Sequence, residues 1–136
     1  MKVYLIFFIP VIVLISCGKS EESTSNESSV ESQEVKIENG VKTVYYKGTD
    51  KVRFRGNVNK DTLWEGKVTS YHPNGKIMSV QSYTNGIKNG IFQVYRENGK
   101  LYYTGEWEYE NKIGSWYYYD SLGKFVKEVK YEKVYD

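Results

Sequence analysis

Along the last hundred residues, apolar and polar positions alternate. Leu101, Tyr103, Gly105, Trp107 and Tyr109 would share one side of an extended chain, with Lys100, Thr104, Glu106 and Glu108 on the other. Phe125, Val129, Tyr131 and Tyr135 stand against Glu128, Lys130 and Glu132 in the same way. A period of two is that of a β-strand half-covered on one face. Trp116 and Tyr118 oppose Tyr117 and Tyr119, which places aromatic rings on both faces there. Asn-Gly pairs at Asn74-Gly75, Asn85-Gly86, Asn89-Gly90 and Asn98-Gly99 punctuate the pattern. Asn-Gly supplies the positive φ of tight hairpin turns, so each pair predicts a turn. Upstream, Val41 to Tyr46 predicts a first strand, Lys47 to Lys51 a turn, and Val52 to Val58 a second strand. Glycine recurs too often from Gly48 to Gly123 for helices.

The punctuation is periodic. Gly114-Ser-Trp116-Tyr-Tyr-Tyr119-Asp-Ser-Leu-Gly123-Lys124-Phe125 is matched 24 residues earlier by Gly90-Ile-Phe92-Gln-Val-Tyr95-Arg-Glu-Asn-Gly99-Lys100-Leu101. A further 24 residues back stands Gly66-Lys-Val68-Thr-Ser-Tyr71-His-Pro-Asn-Gly75-Lys76-Ile77. Six columns agree without a gap: glycine, apolar, tyrosine, glycine, lysine, apolar. Such self-similarity defines a repeat protein. The spacing Gly56 to Gly66 is one residue longer than Gly105 to Gly114, which predicts a bulge or longer loop there. The fold class expected is all-β: a single-layer antiparallel β-meander of about three 24-residue hairpin repeats and some seven strands. Equivalent residues then lie about 9–10 Å apart, two strand spacings, so large rings bridge only through the residue between them. Val68, Phe92 and Trp116 form one ladder on this reading, and Tyr71, Tyr95 and Tyr119 a second. Alternating charge in Lys127 to Lys133 protects the last edge from pairing with another chain.

Charge divides the chain. Residues 18–40 hold two Lys against six Glu, net −4, and residues 41–136 hold 16 Lys/Arg against 11 Asp/Glu, net +5. The total of +2 gives no composition argument for nucleic acid. Before the acidic stretch, Met1-Lys2 precedes thirteen uncharged residues, Val3 to Ile15. That run is shorter than the about 20 residues a spanning helix needs and has the form of a secretory signal. Leu14-Ile15-Ser16-Cys17-Gly18 resembles the bacterial lipoprotein box, and the resemblance implies cleavage before Cys17 and acylation of its sulfur. An incidental cysteine behind an ordinary signal is the alternative. Cys17 is the only cysteine, which excludes an internal disulfide. Three segments follow: signal peptide 1–16, lipidated Cys17 with a disordered Ser/Glu-rich linker 17–40, and repeat domain 41–136. The expected location is the bacterial cell envelope, lipid-anchored in the outer membrane on its periplasmic or outer face. Lys19-Ser-Glu21-Glu22 weakly resembles a surface-export signal of some Gram-negative lipoproteins.

The repeated phrases, Tyr71-His-Pro-Asn-Gly-Lys76 and Gly114-Ser-Trp-Tyr-Tyr-Tyr119 above all, resemble the MORN repeat in its bacterial, antitoxin-like variant. The likeness covers residues 52–126, and more loosely 41–136. It implies an extended antiparallel meander; eukaryotic relatives are linked to scaffolding and acidic phospholipids. It brings no catalytic residues with it. Leu122-Gly123 in place of Asn-Gly, Gln81 where the next copy has Gly105, and the low copy number depart from the pattern.

Catalytic chemistry finds little purchase in these residues. His72, the sole histidine, sits in a turn column shared with Arg96 and Asp120 and reads as a solvated turn residue. No His/Cys/carboxylate spacing suggests a metal site, and no cofactor is expected. Glu106, Glu108 and Glu110 alternate along one strand, as a solvated face does. Two features could meet a partner. Lys76, Lys100 and Lys124 align along one edge at about 10 Å, beyond the Debye length of about 8 Å, so each acts nearly alone. The second feature is aromatic surface at Trp107, Tyr109, Trp116, Tyr117, Tyr118 and Tyr119, as exposed rings mark contacts. The expected function is a non-enzymatic, membrane-tethered module binding a protein or envelope component. An antitoxin or immunity protein is the alternative, and an acidic-lipid or glycan binder a second. Neither nucleic acid nor a small-molecule substrate is expected.

Overall fold

A computed structural model describes residues 34–133. The segment expected to be a signal peptide, Cys17, the expected linker up to residue 33 and Tyr135 lie outside them. Among the described residues nine strands make one antiparallel sheet in chain order. They are β1 (Val35–Glu38), β2 (Val41–Tyr45), β3 (Val52–Val58), β4 (Trp64–Tyr71) and β5 (Ile77–Thr84), followed by β6 (Ile87–Tyr95), β7 (Leu101–Glu108), β8 (Asn111–Tyr119) and β9 (Phe125–Tyr131). The single-layer meander expected from the repeat is what forms, with nine strands rather than seven. One of the additional strands is β1, at the start, which pairs with β2 through Val35↔Val44 and Ile37↔Lys42. The acidic linker composition hides it. Val35-Lys-Ile-Glu38 nonetheless alternates, and Asn39-Gly40 turns back with φ of 49° and 75°.

A second difference concerns the first glycine of each repeat. Gly66, Gly90 and Gly114 lie inside β4, β6 and β8, not in turns, with φ of 70°, 101° and 62°. Each stands where the ladder register shifts: Gln81↔Phe92 is followed by Tyr83↔Lys88, and Thr104↔Tyr117 by Glu106↔Ile113. Two extra residues on the even strand must be absorbed, and glycine takes the positive φ found there without strain. Asn89-Gly90 is therefore a bulge, not a hairpin.

Turns at one end of the sheet share a single form. The N–H groups of His72, Arg96 and Asp120 donate to the carbonyls of Lys76, Lys100 and Lys124 at 2.8, 2.9 and 2.8 Å. The side chains of Asn74 and Asn98 accept the N–H of Lys76 and Lys100, both at 3.0 Å. Leu122 cannot do this, and the Asp120 carboxylate takes over, accepting from Leu122 N–H and Lys124 N–H at 2.8 and 2.9 Å. The insertion anticipated between Gly56 and Gly66 appears as the loop 59–63. There Asn59 Oδ1 accepts the N–H groups of Asp61 and Leu63.

Pairing fixes the two faces. On one, Gly56, Val68, Gln81, Phe92, Gly105, Trp116 and Val129 run across the strands as a central row. Trp116, Val68 and Val44 are buried there together with Ser70 and Gln81. Ser70 and Ser79 join hydroxyls at 2.6 Å beside the row. The other face carries Arg55, Thr69, Val80, Gln93, Thr104, Tyr117 and Glu128 in register.

The aromatic face as a candidate recognition site

Trp116 is 1% exposed, although no second layer covers it. Its burial comes from residues of its own face. A Cβ on Gly105 would stand 2.2 Å from the indole Cδ2 and 2.4 Å from Cε2, so the ring lies flat on that glycine's backbone. Around it stand Trp107 at 5.5 Å, Tyr131 at 5.9 Å, Tyr103 at 6.1 Å and Phe92 at 6.2 Å between ring centroids. Rings two strands apart thus meet directly, contrary to expectation, because the residue between them has no side chain. Phe92 also meets Tyr103 at 5.7 Å and Trp107 at 6.4 Å edge-on, the geometry the ring quadrupoles favour. Gln81 fills the equivalent place one repeat earlier. Its amide donates to the Ser82 carbonyl at 2.7 Å, while its Oε1 is buried without a partner.

Toward the hairpin tips Asn39-Gly40, Asn85-Gly86 and Tyr109-Glu110, a further row lies beside this core. Trp64, Tyr83, Lys88, Trp107, Lys112 and Tyr131 follow one another from β4 to β9, joined by the pairs Tyr83↔Lys88 and Trp107↔Lys112. Lysine and ring are engaged throughout. Lys88 Nζ lies 4.8 Å from the Trp107 ring, and Lys42 Nζ reaches Trp64 at 5.1 Å. Lys112 Nζ is set among Trp116, Tyr131 and Trp107 at 4.4, 5.1 and 5.8 Å. A cation over ring faces is held by the quadrupole at about 0.5–1 kcal/mol per contact, more when desolvated. Beside Trp64 a recess of about 370 Å³ opens, lined by Val35, Lys42, Val44, Phe54, Val68 and Tyr83. Burial lifts the hydroxyl pKa of Tyr83, Tyr103 and Tyr118 above the ordinary tyrosine value; Glu110, Tyr102 and Tyr131 respectively add to it. Glu110 is held low, first by the backbone N–H of Lys88 and then by its ammonium.

The residues expected to meet a partner do not form one patch. Trp107 and Tyr118 lie half-buried on the aromatic face, and Trp116 is sealed beneath it, out of any partner's reach. Tyr117 points from the opposite face, 38% exposed. Tyr109 leaves its strand to sit at a hairpin tip with φ of 42°, 63% exposed. At the far end Tyr119 packs on Phe125 at 6.2 Å, because the register shift after Tyr118 sets Phe125 opposite Tyr119 and out of the row predicted for it. Lys76, Lys100 and Lys124 are exposed at the turns of that same end.

His72 has a defined partner rather than solvent. Its Nε2 donates to the carbonyl of Tyr95 in the next repeat at 3.0 Å. Tyr46 does likewise to Tyr71 at 2.6 Å, and Arg96 to Tyr119 at 3.1 Å. Tyr71, Tyr95 and Tyr119 are thus tied to the preceding turn by their carbonyls rather than through a ring ladder. Chemically different residues at 46, 72 and 96 share one role, which comparison of side-chain types alone conceals. Among the described residues no cluster of three His, Cys, Asp or Glu could hold a metal ion.

Neither a search of known protein families nor one of characterised proteins finds a match to this chain. Among solved structures, it is similar to a chain in "Crystal structure of GtfA/B complex bound to UDP and GlcNAc", with TM-score 0.44 and 13% identity. The likeness covers 72% of this chain and 24% of that one.

Proposed function

We propose that this chain is a MORN-variant repeat lipoprotein of the bacterial envelope. On this reading Cys17 anchors it and the sheet acts as a non-enzymatic recognition module. The observation that carries the reading is the aromatic face. Its strand positions bear Lys42, Lys88, Lys112 and Lys127, and no Asp or Glu among the described residues. A one-layer sheet leaves such a face open, and half-buried rings beside cations form a contact surface. The carboxylates Glu65, Glu106 and Glu128 belong to the opposite face. His72, the one imidazole, is committed to a backbone carbonyl.

Crosslinking in intact envelopes tests it, using the full lipidated chain beside a Lys88→Gln/Lys112→Gln variant. A bound component present with the parent and lost with the variant is the expected result. The same recovery from both would exclude the face. Cys17→Ser should move the protein from the membrane to the soluble fraction, and unchanged membrane association would refute the anchor.

A further inference from the structure

Building on that reading, we infer that the aromatic face binds an acidic polysaccharide, lying across the strands with a pyranose in the recess beside Trp64. Three observations point to this class. The first is uncompensated charge. Lys112 is half-buried among three rings with no carboxylate within ion-pair distance among the described residues, whereas Lys88 shares Glu110 at 3.4 Å. A cation so placed favours an anionic counter-group.

The second is spacing. Lys88 and Lys112 stand on β6 and β8, two strands apart, so a ligand lying across the sheet meets ring and ammonium in turn at intervals of about 10 Å. A uronic-acid polymer offers such an alternation, a flat C–H face on each pyranose and a carboxylate recurring along a stiff chain. An acidic peptide would pair with a strand edge instead of crossing nine strands. A membrane surface calls for rings that protrude beyond the lysines, and here the lysine ammoniums stand over Trp64 and Trp107.

The third is the recess. Val44 and Val68 are buried within it, Trp64, Tyr83 and Phe54 line it, and Lys42 reaches over Trp64. Its volume of about 370 Å³ lies within the range of small-ligand sites.

The test is titration calorimetry on the full chain in detergent, with tryptophan fluorescence as a second readout. The probes are oligogalacturonate, a neutral cello-oligosaccharide, polyglutamate of matched charge, and glycerophosphoglycerol, the soluble headgroup of phosphatidylglycerol. Oligogalacturonate should bind in a salt-sensitive manner and more tightly than the other three. Lys88→Gln/Lys112→Gln should weaken it about tenfold or more. Lys88→Arg/Lys112→Arg should retain it, and so should the charge-matched Lys67→Gln/Lys130→Gln on the opposite face. Circular dichroism confirms that each variant is folded. Equal binding of polyglutamate, preference for the lipid headgroup, no binding of oligogalacturonate, or an unaffected Lys88/Lys112 variant would overturn the inference. If oligogalacturonate fails while envelope crosslinking still depends on Lys88 and Lys112, the recognition face stands and only its ligand class falls.

Discussion

Replacing Gly105 by alanine puts a methyl group where Trp116 lies. The added Cβ would be 2.2, 2.4 and 2.6 Å from three indole carbons, against an ordinary carbon contact of about 3.5–4.0 Å. The indole must therefore retreat by about 1.5 Å. It has nowhere to go, since Phe92, Tyr103, Trp107 and Tyr131 surround it. Overpacking a filled site costs about 1–3 kcal/mol. Each ring pair pulled out of geometry adds about 0.5–1.5 kcal/mol. Alanine's lower backbone entropy in a strand offsets only about 0.5–1 kcal/mol. The net expectation is a loss of about 2–3 kcal/mol. In urea unfolding followed by tryptophan fluorescence this lowers the midpoint by about 1–2 M. Trp116→Leu in both backgrounds completes a cycle: the leucine should cost less once Gly105 has been replaced by alanine, with coupling of about 1–2 kcal/mol. A Gly105→Ala variant within about 0.5 kcal/mol of the parent, with no coupling to Trp116, would refute the reasoning, since surface substitutions stay within that range.

Three further outcomes follow from the fold. Gly90→Ala meets φ of 101° as well as Ser82 Cβ at 3.1 Å, so thermal unfolding should show a loss of about 1–2 kcal/mol from backbone strain. His72→Ala removes the donor to Tyr95 O and should cost about 1 kcal/mol, with faster amide exchange between β6 and β7; unchanged stability and exchange would contradict a bridging role. At alkaline pH, Tyr83, Tyr103 and Tyr118 hold their protons longer in the folded chain than in the unfolded one. Their contribution is complete below the unfolded value of about 10 and is lost as pH rises through the higher folded values. Tyrosinate absorbance for these groups should appear together with loss of the sheet signal, and Tyr103→Phe should move that transition to higher pH.

The period of 24 residues is enough to foresee one layer of hairpins, since turn glycines and alternation each specify strands without tertiary help. The repeated glycines are harder to place. A positive φ is required equally by a turn and by a bulge, and only the pairing partner, as in Phe92↔Gln81 against Lys88↔Tyr83, distinguishes them. The lysine row is hidden for a related reason. Positions 64, 88 and 112 hold Trp, Lys and Lys, a column without a common chemistry, lying two residues before each bulge. The neighbouring column Tyr83, Trp107 and Tyr131, paired with Gly66, Gly90 and Gly114, keeps the 24-residue step and is the signal that could have revealed it. The burial of Trp116 is not legible in the sequence, because a ring on a one-layer sheet is expected to be open. Gly105 beneath it and the rings around it close the site.

The contacts from Tyr46, His72 and Arg96 to the carbonyls of Tyr71, Tyr95 and Tyr119 all run the same way along the chain. Each turn hands a proton donor forward to the following copy, and the last of them does not. Asp120 has only acceptor oxygens when ionised and folds them back onto the N–H groups of its own turn. The array therefore behaves like a polymer with a starting unit, propagating units and a terminator written into one residue column. Copies can be inserted between His72 and Asp120 and be tied in at once. A copy added after Asp120 would arrive with no hand extended to it, unless that aspartate were first exchanged for a donor.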